Sequence, residues 1–298
     1  MFTDTHCHLY DEVFETRKDH IQALALENGV NRILLPNIDV NSLPKMDAVA
    51  ANYPLLEIRK MIGLHPCYVK EDWADQLDQI EAWYHQKPEE FCAVGEIGLD
   101  LYWDQSTLAI QIEALNRQLD WSVACNLPIA LHVRSSFKEL FPVLEAAQER
   151  HNGKIRGVFH CFSGGKKQIN RALRLGEFYF GLGGSITYNR SATDPVIKNI
   201  PTDRIVLETD APYLTPTSKK GQKNEPAFLL DQLRTNVFKI SHYFKSKNIN
   251  PKDRIAAVLP NMLETVEAFL ACAQIGAIWS SCSSDFGPKA IIDRFKQI

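Results

Sequence analysis

Short apolar runs rich in β-branched residues alternate along the chain with stretches in which apolar positions recur at helical spacing. That alternation predicts a parallel sheet built from βα units. The runs are Phe2 to Thr5, Arg32 to Pro36, Ile58 to Leu64, Phe91 to Ile97, Pro128 to Val133, Ile155 to Phe162, Glu177 to Leu182 and Arg204 to Glu208. Eight such units suffice to close an α/β TIM barrel. After the eighth, Phe228, Leu229, Leu233, Val237, Ile240 and Phe244 share one helical face, which suits a last covering helix and ends the barrel near Asn248.

The remaining residues have a different texture. Arg254 to Leu259 is expected as a strand, Met262 to Ile275 as a helix, Ser280 to Gly287 as a small-residue loop, and Pro288 to Ile298 as a helix opened by proline. The expected division is a barrel over 1–248 and a short α/β appendage over 249–298, with the polar Lys245 to Asp253 segment between them.

Hydrophobic residues make up 45% of the chain, enough for a sizeable core, which excludes disorder over most of its length. The 33 lysines and arginines against 36 aspartates and glutamates give a net charge of −3, so any polyanion site must be local. The apolar run Phe269 to Trp279 is too short to span a bilayer. Seven cysteines without a Cys-x-x-Cys pair, and no basic-then-apolar leader at Met1, are expected of a reduced, cytoplasmic protein without membrane partners, most simply a monomer.

In a parallel barrel the functional face lies at the carboxyl ends of the strands. There the polar residues are metal-ligand types: His6 and His8, His65, Glu96, His132, His160, Glu208 and Asp210. Residues two apart in a strand point to the same side, so His6 and His8 can serve one ion, and one carboxylate can bridge two ions through its two oxygens. Such N/O sets suit Zn²⁺, Mn²⁺ or Mg²⁺, and an ion pair ~4 Å apart is a common hydrolytic arrangement. Cys7 and Cys161 alternate with histidines and are expected to point into the layer between barrel and helices. Gly164-Gly165 and Gly181 to Gly184 could cradle phosphate or simply relieve steric crowding. Arg134, Lys166, Lys167, Arg190, Lys219, Lys220 and Lys223 could form a basic rim or be solvated loop charge.

Thr3-Asp4-Thr5-His6-Cys7-His8-Leu9, Gly63-Leu64-His65-Pro66, Gly95-Glu96-Ile97-Gly98-Leu99-Asp100, Leu131-His132-Val133-Arg134, His160-Cys161-Phe162-Ser163-Gly164, Glu208-Thr209-Asp210-Ala211-Pro212-Tyr213 and Asn224-Glu225-Pro226 together resemble the TatD family of metal-dependent deoxyribonucleases. The resemblance covers roughly residues 1 to 230 and implies a barrel of the amidohydrolase type with two divalent metal ions. It implies His6, His8, Glu96 and Asp210 as ligands of one ion, and Glu96, His132 and His160 as ligands of the other. It also implies His65 and Arg134 near the substrate phosphate and DNA as the substrate, cut by a 3′ to 5′ exonuclease or an endonuclease through a metal-activated water. Asp210 would hold or accept the water's proton and His65 would stabilise the added charge, while Lys166 and Lys167, as part of the basic rim read above, would help to bind DNA. Glu208 is expected to support a ligand rather than to be one. A hydrolase of a small amide or ester, and an inactive barrel, are the competing readings. From about Leu233 to Ile298 the chain instead resembles an internal piece of an acetoacetyl-CoA synthetase. That piece is too short for ligase chemistry.

Overall fold

The computed structural model describes residues 1–188, 196–197, 199–259 and 263–296. Its chain divides into two compact units, Met1–Ile200 with Arg204–Leu229, and Pro201–Asp203 with Leu230–Ile298.

The first unit is the expected barrel. Its strands are β1 (Phe2–Asp4), β2 (Val30–Leu35), β3 (Glu57–Ile62), β4 (Phe91–Asp100), β5 (Ile129–Arg134), β6 (Gly157–Phe159), β7 (Phe178–Leu182) and β8 (Ile205–Leu207), paired in parallel in chain order. Between β1 and β8 the ring is drawn shut by Thr5 N–H donating to the Leu207 carbonyl at 3.0 Å, Asp210 N–H donating to the His6 carbonyl at 2.9 Å, and a parallel bridge from Cys7 to Ala211. Helices α1 (Lys18–Glu27), α2 (Ser42–Asn52), α3 (Trp73–Tyr84), α4 (Leu108–Ala124), α5 (Phe137–Arg150) and α6 (Lys166–Leu175) follow the first six strands.

These helices cover the strands because each presents one apolar stripe: Leu77, Ile80 and Tyr84 on α3, Ala114, Leu115 and Leu119 on α4, Leu140, Phe141, Leu144 and Ala147 on α5. Burying a side chain of this size stabilises the fold by about 1.5–3 kcal/mol. Phe141, Phe159, Phe162, Phe178 and Phe180 extend the same core along β6 and β7.

One irregularity serves the site. Between Val94 and Ile97 the pairing of β4 with β5 slips, so that β4 carries one residue more than β5 there, and Glu96 lies within this bulge. A bulge re-aims a side chain that regular alternation would fix. Asn37 clamps the deviation: its carbonyl accepts Glu96 N–H at 2.9 Å and its N–H donates to the Gly95 carbonyl at 3.1 Å. Further along, Gly98 sits at φ +144, where an added Cβ would lie 2.0 Å from the His132 carbonyl oxygen, so this close approach of β4 to β5 requires glycine.

In the second unit, helix α7 (Asp231–Ser246) precedes a parallel pair, β9 (Arg254–Val258) and β10 (Ile278–Cys282), joined by α8 (Leu263–Ile275) and followed by α9 (Pro288–Phe295). The expected strand and two helices are found, although Met262, Gln297 and Ile298 lie outside the described residues. The Ser280 to Gly287 loop needs correction. Ser280, Ser281 and Cys282 belong to β10, where they pair with Ala256, Ala257 and Val258. Small polar residues hide a strand from periodicity while leaving its backbone free to pair. The division of the chain at Leu229 and Leu230 assigns α7 to this second unit, whereas the sequence pattern placed it in the barrel. On its expected apolar face the side chain of Leu233 lies outside the described residues. Among the described residues no helix is long and apolar enough to cross a membrane.

Candidate metal centre

Glu96 is the hub, buried to 2% exposure at the carboxyl end of the barrel. Its Oε2 lies 3.1 Å from His6 Nε2 and 3.9 Å from His8 Nε2. Its Oε1 lies 2.9 Å from His132 Nδ1, 3.5 Å from His65 Nε2 and 3.9 Å from His160 Nε2. Asp210, following β8, places Oδ1 3.3 Å from His8 Nε2, 3.5 Å from His160 Nε2 and 3.9 Å from His6 Nε2. All six expected ligands thus meet at one point, and the two oxygens of Glu96 face partners divided much as the two expected ligand sets are. His160 stands between the sets, its ring stacked on that of His6 with centroids 3.4 Å apart.

The outer hydrogen bonds decide what each imidazole can do. Tyr10 Oη donates to the Pro36 carbonyl at 2.8 Å, so it accepts from His8 Nδ1, also at 2.8 Å. His8 therefore carries its proton on Nδ1 and turns the Nε2 lone pair toward Asp210 and Glu96. His132 Nε2–H donates to Asp100 Oδ2 at 2.8 Å, which leaves the Nδ1 lone pair facing Glu96 Oε1. His160 Nδ1 lies 3.2 Å from Glu208 Oε2, an ion-pair contact, and Nε2 is again turned inward. A lone pair facing a carboxylate oxygen is repulsive unless a proton or a metal cation lies between them. The donor set of buried imidazoles and carboxylates therefore fits divalent metal.

His65 differs. Its Nδ1 accepts the Cys67 N–H at 3.1 Å, which fixes the proton on Nε2, the atom that faces the site. Although His65, Glu96 and His132 bring donor atoms within 4.8 Å of one another, a protonated nitrogen cannot ligate. His65 enters the site as a hydrogen-bond donor.

Where no cation lies between them, the buried imidazoles and carboxylates set one another's charge. Burial opposes ionisation of Glu96, but His65, His6, His160 and His132 outweigh it and hold the carboxyl well below the usual range. Against its own burial, Asp210 is held down by His160 and His8. His160 is buried, which resists protonation, yet Glu208, Asp210 and Glu96 raise its pKa well above the ordinary value. His65, by contrast, is pushed down chiefly by burial, which keeps it a neutral donor.

Several supporting residues escape a reading from sequence. Asp100, two positions beyond Gly98 on β4, orients His132 with Oδ2; despite burial its carboxyl is held down to about 2 by His132 and by the amides of Tyr102 and Trp103. A second carboxylate ending the same buried strand was the available signal. Asn224 Nδ2 donates to the Thr209 and Tyr213 carbonyls, both at 2.7 Å, and so pins the loop carrying Asp210. Arg17 pairs with Glu225 at 3.2 Å. Replacing Asp100 by asparagine is expected to lower metal affinity about 10- to 100-fold in a folded protein. Metal titration followed by calorimetry checks this, and unchanged affinity would remove Asp100 from the site.

The cavity at this face measures about 800 Å³, and Arg134, Trp103, Ser163 and Tyr213 are among its lining residues. Lys166 and Lys167 stand exposed at the start of α6, outside that lining, and Arg190 lies outside the described residues. Cys7 packs in the outer core with Leu9, Phe14 and Ile33. Cys161 corrects the expectation drawn from alternation. Its φ of +44 turns the chain, the side chain lines the cavity, and burial pushes the thiol up to about 12, so it stays neutral. The glycines are steric: a Cβ on Gly181 would lie 2.2 Å from Glu208 Oε2, and one on Gly184 2.0 Å from the Leu214 carbonyl oxygen.

The family model described as TatD related DNase matches residues 3–238. The chain belongs to this family. The metal-dependent hydrolase YjjV of Escherichia coli K12, described as uncharacterized, is 33% identical over 266 residues, covering 89% of this chain and 97% of its own. The crystal structure of YjjV matches the fold with a TM-score of 0.71 at 32% identity, over 78% of this chain and 88% of that one. YabD of Bacillus subtilis, likewise an uncharacterized metal-dependent hydrolase, is 32% identical over 232 residues, 77% of this chain and 87% of its own. The 3′-5′ ssDNA/RNA exonuclease TatD of Enterobacter lignolyticus is 31% identical over 222 residues, 72% of this chain and 82% of its own. This TatD family member is a metal-dependent hydrolase acting on ester bonds. A model of AMP-binding enzymes matches residues 230–298.

Proposed function

We propose that this TatD family member is a deoxyribonuclease that removes nucleotides from the 3′ end of DNA with two divalent ions drawn from Mg²⁺, Mn²⁺ and Zn²⁺. The observation that carries the reading is the convergence of four imidazoles on Glu96 and Asp210, His8 and His132 with their lone pairs turned inward, and one further imidazole, His65, turned to donate instead. His6, His8, Glu96 and Asp210 would hold one ion, and Glu96, His132 and His160 the other. When bound, the ions supply Lewis acidity and lower the pKa of water to near neutrality.

The chain's own groups do the rest. Asp210 faces the imidazoles with Oδ1, and its second carboxylate oxygen would take the proton of the water that attacks phosphorus. The bond from phosphorus to the leaving sugar oxygen then breaks, and that oxygen takes up a proton, passed from Asp210 or from solvent, so that the water is shared between the two products. His65 Nε2–H donates to a non-bridging phosphate oxygen as its charge grows. Arg134 lies on the cavity wall where a flanking phosphate would pass, and Lys166 and Lys167 add positive charge beyond Ser163. Glu208 orients His160 from outside the ion sites.

The test is degradation of single- and double-stranded DNA with Mg²⁺, with Mn²⁺ and with EDTA. Metal-dependent release of nucleotides from a 3′ end is expected, whereas turnover of a small amide or ester with DNA untouched would select the competing hydrolase reading.

From about Leu233 onward the chain is read as a fragment of an acetoacetyl-CoA synthetase-like enzyme without ligase chemistry, joined to the hydrolase barrel. A chain ended after Asn248 should keep metal content and DNA turnover within about twofold, because every group invoked above precedes it. One ended after Lys223 should fail to fold: losing Asn224 strips the Thr209 and Tyr213 carbonyls of their buried partner at a cost of about 1–3 kcal/mol, and Glu225 and all that follows go with it. Circular dichroism and metal analysis of both chains decide the point. An unfolded 1–248 chain would make the appendage part of the hydrolase's own structure.

A further inference from the structure

The loop after β4 carries two aromatic side chains that contribute nothing to the core. Tyr102 and Trp103 are 57% and 71% exposed and pack edge to face with ring centroids 5.0 Å apart. Arg134, the last residue of β5, lays its guanidinium 3.9 Å from the centre of the Tyr102 ring and 5.3 Å from that of Trp103. Trp103 and Arg134 both line the cavity that contains Glu96, His132 and Asp210. The loop is also tethered. Asp100 Oδ1 accepts the N–H groups of Tyr102 at 2.9 Å and Trp103 at 3.3 Å, while Oδ2 of the same carboxylate accepts from His132. One buried side chain therefore holds the aromatic pair and a candidate metal ligand in a single frame.

We propose that Tyr102, Trp103 and Arg134 form a stacking subsite for an unpaired nucleobase beside the scissile phosphate. The inference rests on the nuclease reading and adds the part of the substrate that the metal ligands cannot sense. Every nucleobase has a π-face, so a platform of rings and a planar cation accepts any base whose face is free. In a duplex that face is covered by its neighbours. The cationic head of Arg134 also complements the phosphate on either side of such a base, and its continuity with the cavity places a stacked base next to the reacting group. Because Asp100 fixes the loop in advance, little ordering is left to occur on binding.

The test compares KM for a single-stranded oligodeoxynucleotide with KM for a strand of equal length lacking all bases, using wild type, Trp103→Ala and Trp103→Phe, with metal content as the check on folding. Wild type should prefer the base-bearing strand by about tenfold. That preference should collapse toward parity in Trp103→Ala and survive in Trp103→Phe, which retains a ring. A wild type indifferent to bases, or a Trp103→Ala enzyme that keeps the preference or weakens on both strands alike, overturns the subsite and leaves the nuclease reading standing. A wild type that cleaves neither strand overturns that reading and the subsite with it.

Discussion

Replacing Glu96 by glutamine is expected to lower hydrolysis by about a thousandfold or more while the protein stays folded. The amide keeps the volume of the carboxylate, so the core around the bulge in β4 is undisturbed and the Asn37 clamp on the backbone remains. What changes is charge and donor count. Glu96 is the one group whose two oxygens face both sets of imidazoles, and its negative charge balances the cations that those imidazoles would share. The glutamine nitrogen would instead turn an N–H toward a lone pair, either on His6 and His8 or on His132, and so compete with a cation there. Metal bound per chain, measured by plasma emission spectrometry, should fall together with activity. Full metal content with near wild-type turnover would falsify the central role given to this carboxylate.

His65→Phe tests the opposite kind of residue. With Nδ1 occupied by the Cys67 amide, His65 can only donate from Nε2, and phenylalanine removes that donor while filling similar space beside Tyr68 and His132. Turnover is expected to drop about 10²- to 10³-fold, the usual loss when one preorganised donor to a developing oxyanion is deleted. Metal content should not move, because no coordinating lone pair is lost. KM should change far less than kcat, since the interaction strengthens as charge accumulates. A His65→Phe protein that loses metal would return this histidine to the ligand set.

The barrel was legible because short apolar runs recur at βα spacing, buried almost throughout in β4 and β7, and the runs stop at residues of a very different kind. The same contrast exposed His6, His8, Glu96, His132, His160 and Asp210, since a buried strand end has few reasons to carry such groups. Periodicity fails where the chain bends or where side chains are small. Cys161 sits just past β6 at positive φ, so counting by twos sends it to the wrong side. The serines of β10 give no apolar signal although their backbones pair. Roles set by a third residue were also invisible. Nothing in the string of letters says that the Cys67 amide confines the proton of His65 to one particular nitrogen, or that Asp100 rather than water meets His132.

The ring is closed by its most distant parts. Asp4 accepts the Thr209 N–H at 2.9 Å, and Thr5 and His6 bond to Leu207 and Asp210 across separations of about two hundred residues. Contacts of such long sequence separation form late, after the loop-closure entropy of the whole intervening chain has been overcome. During synthesis, His6 and His8 emerge first and have no Asp210 to meet until most of the molecule has left the ribosome. A nascent chain shorter than that lacks one carboxylate of the candidate metal centre, so on the proposed reading hydrolysis waits until Asp210 has emerged and the ring has closed.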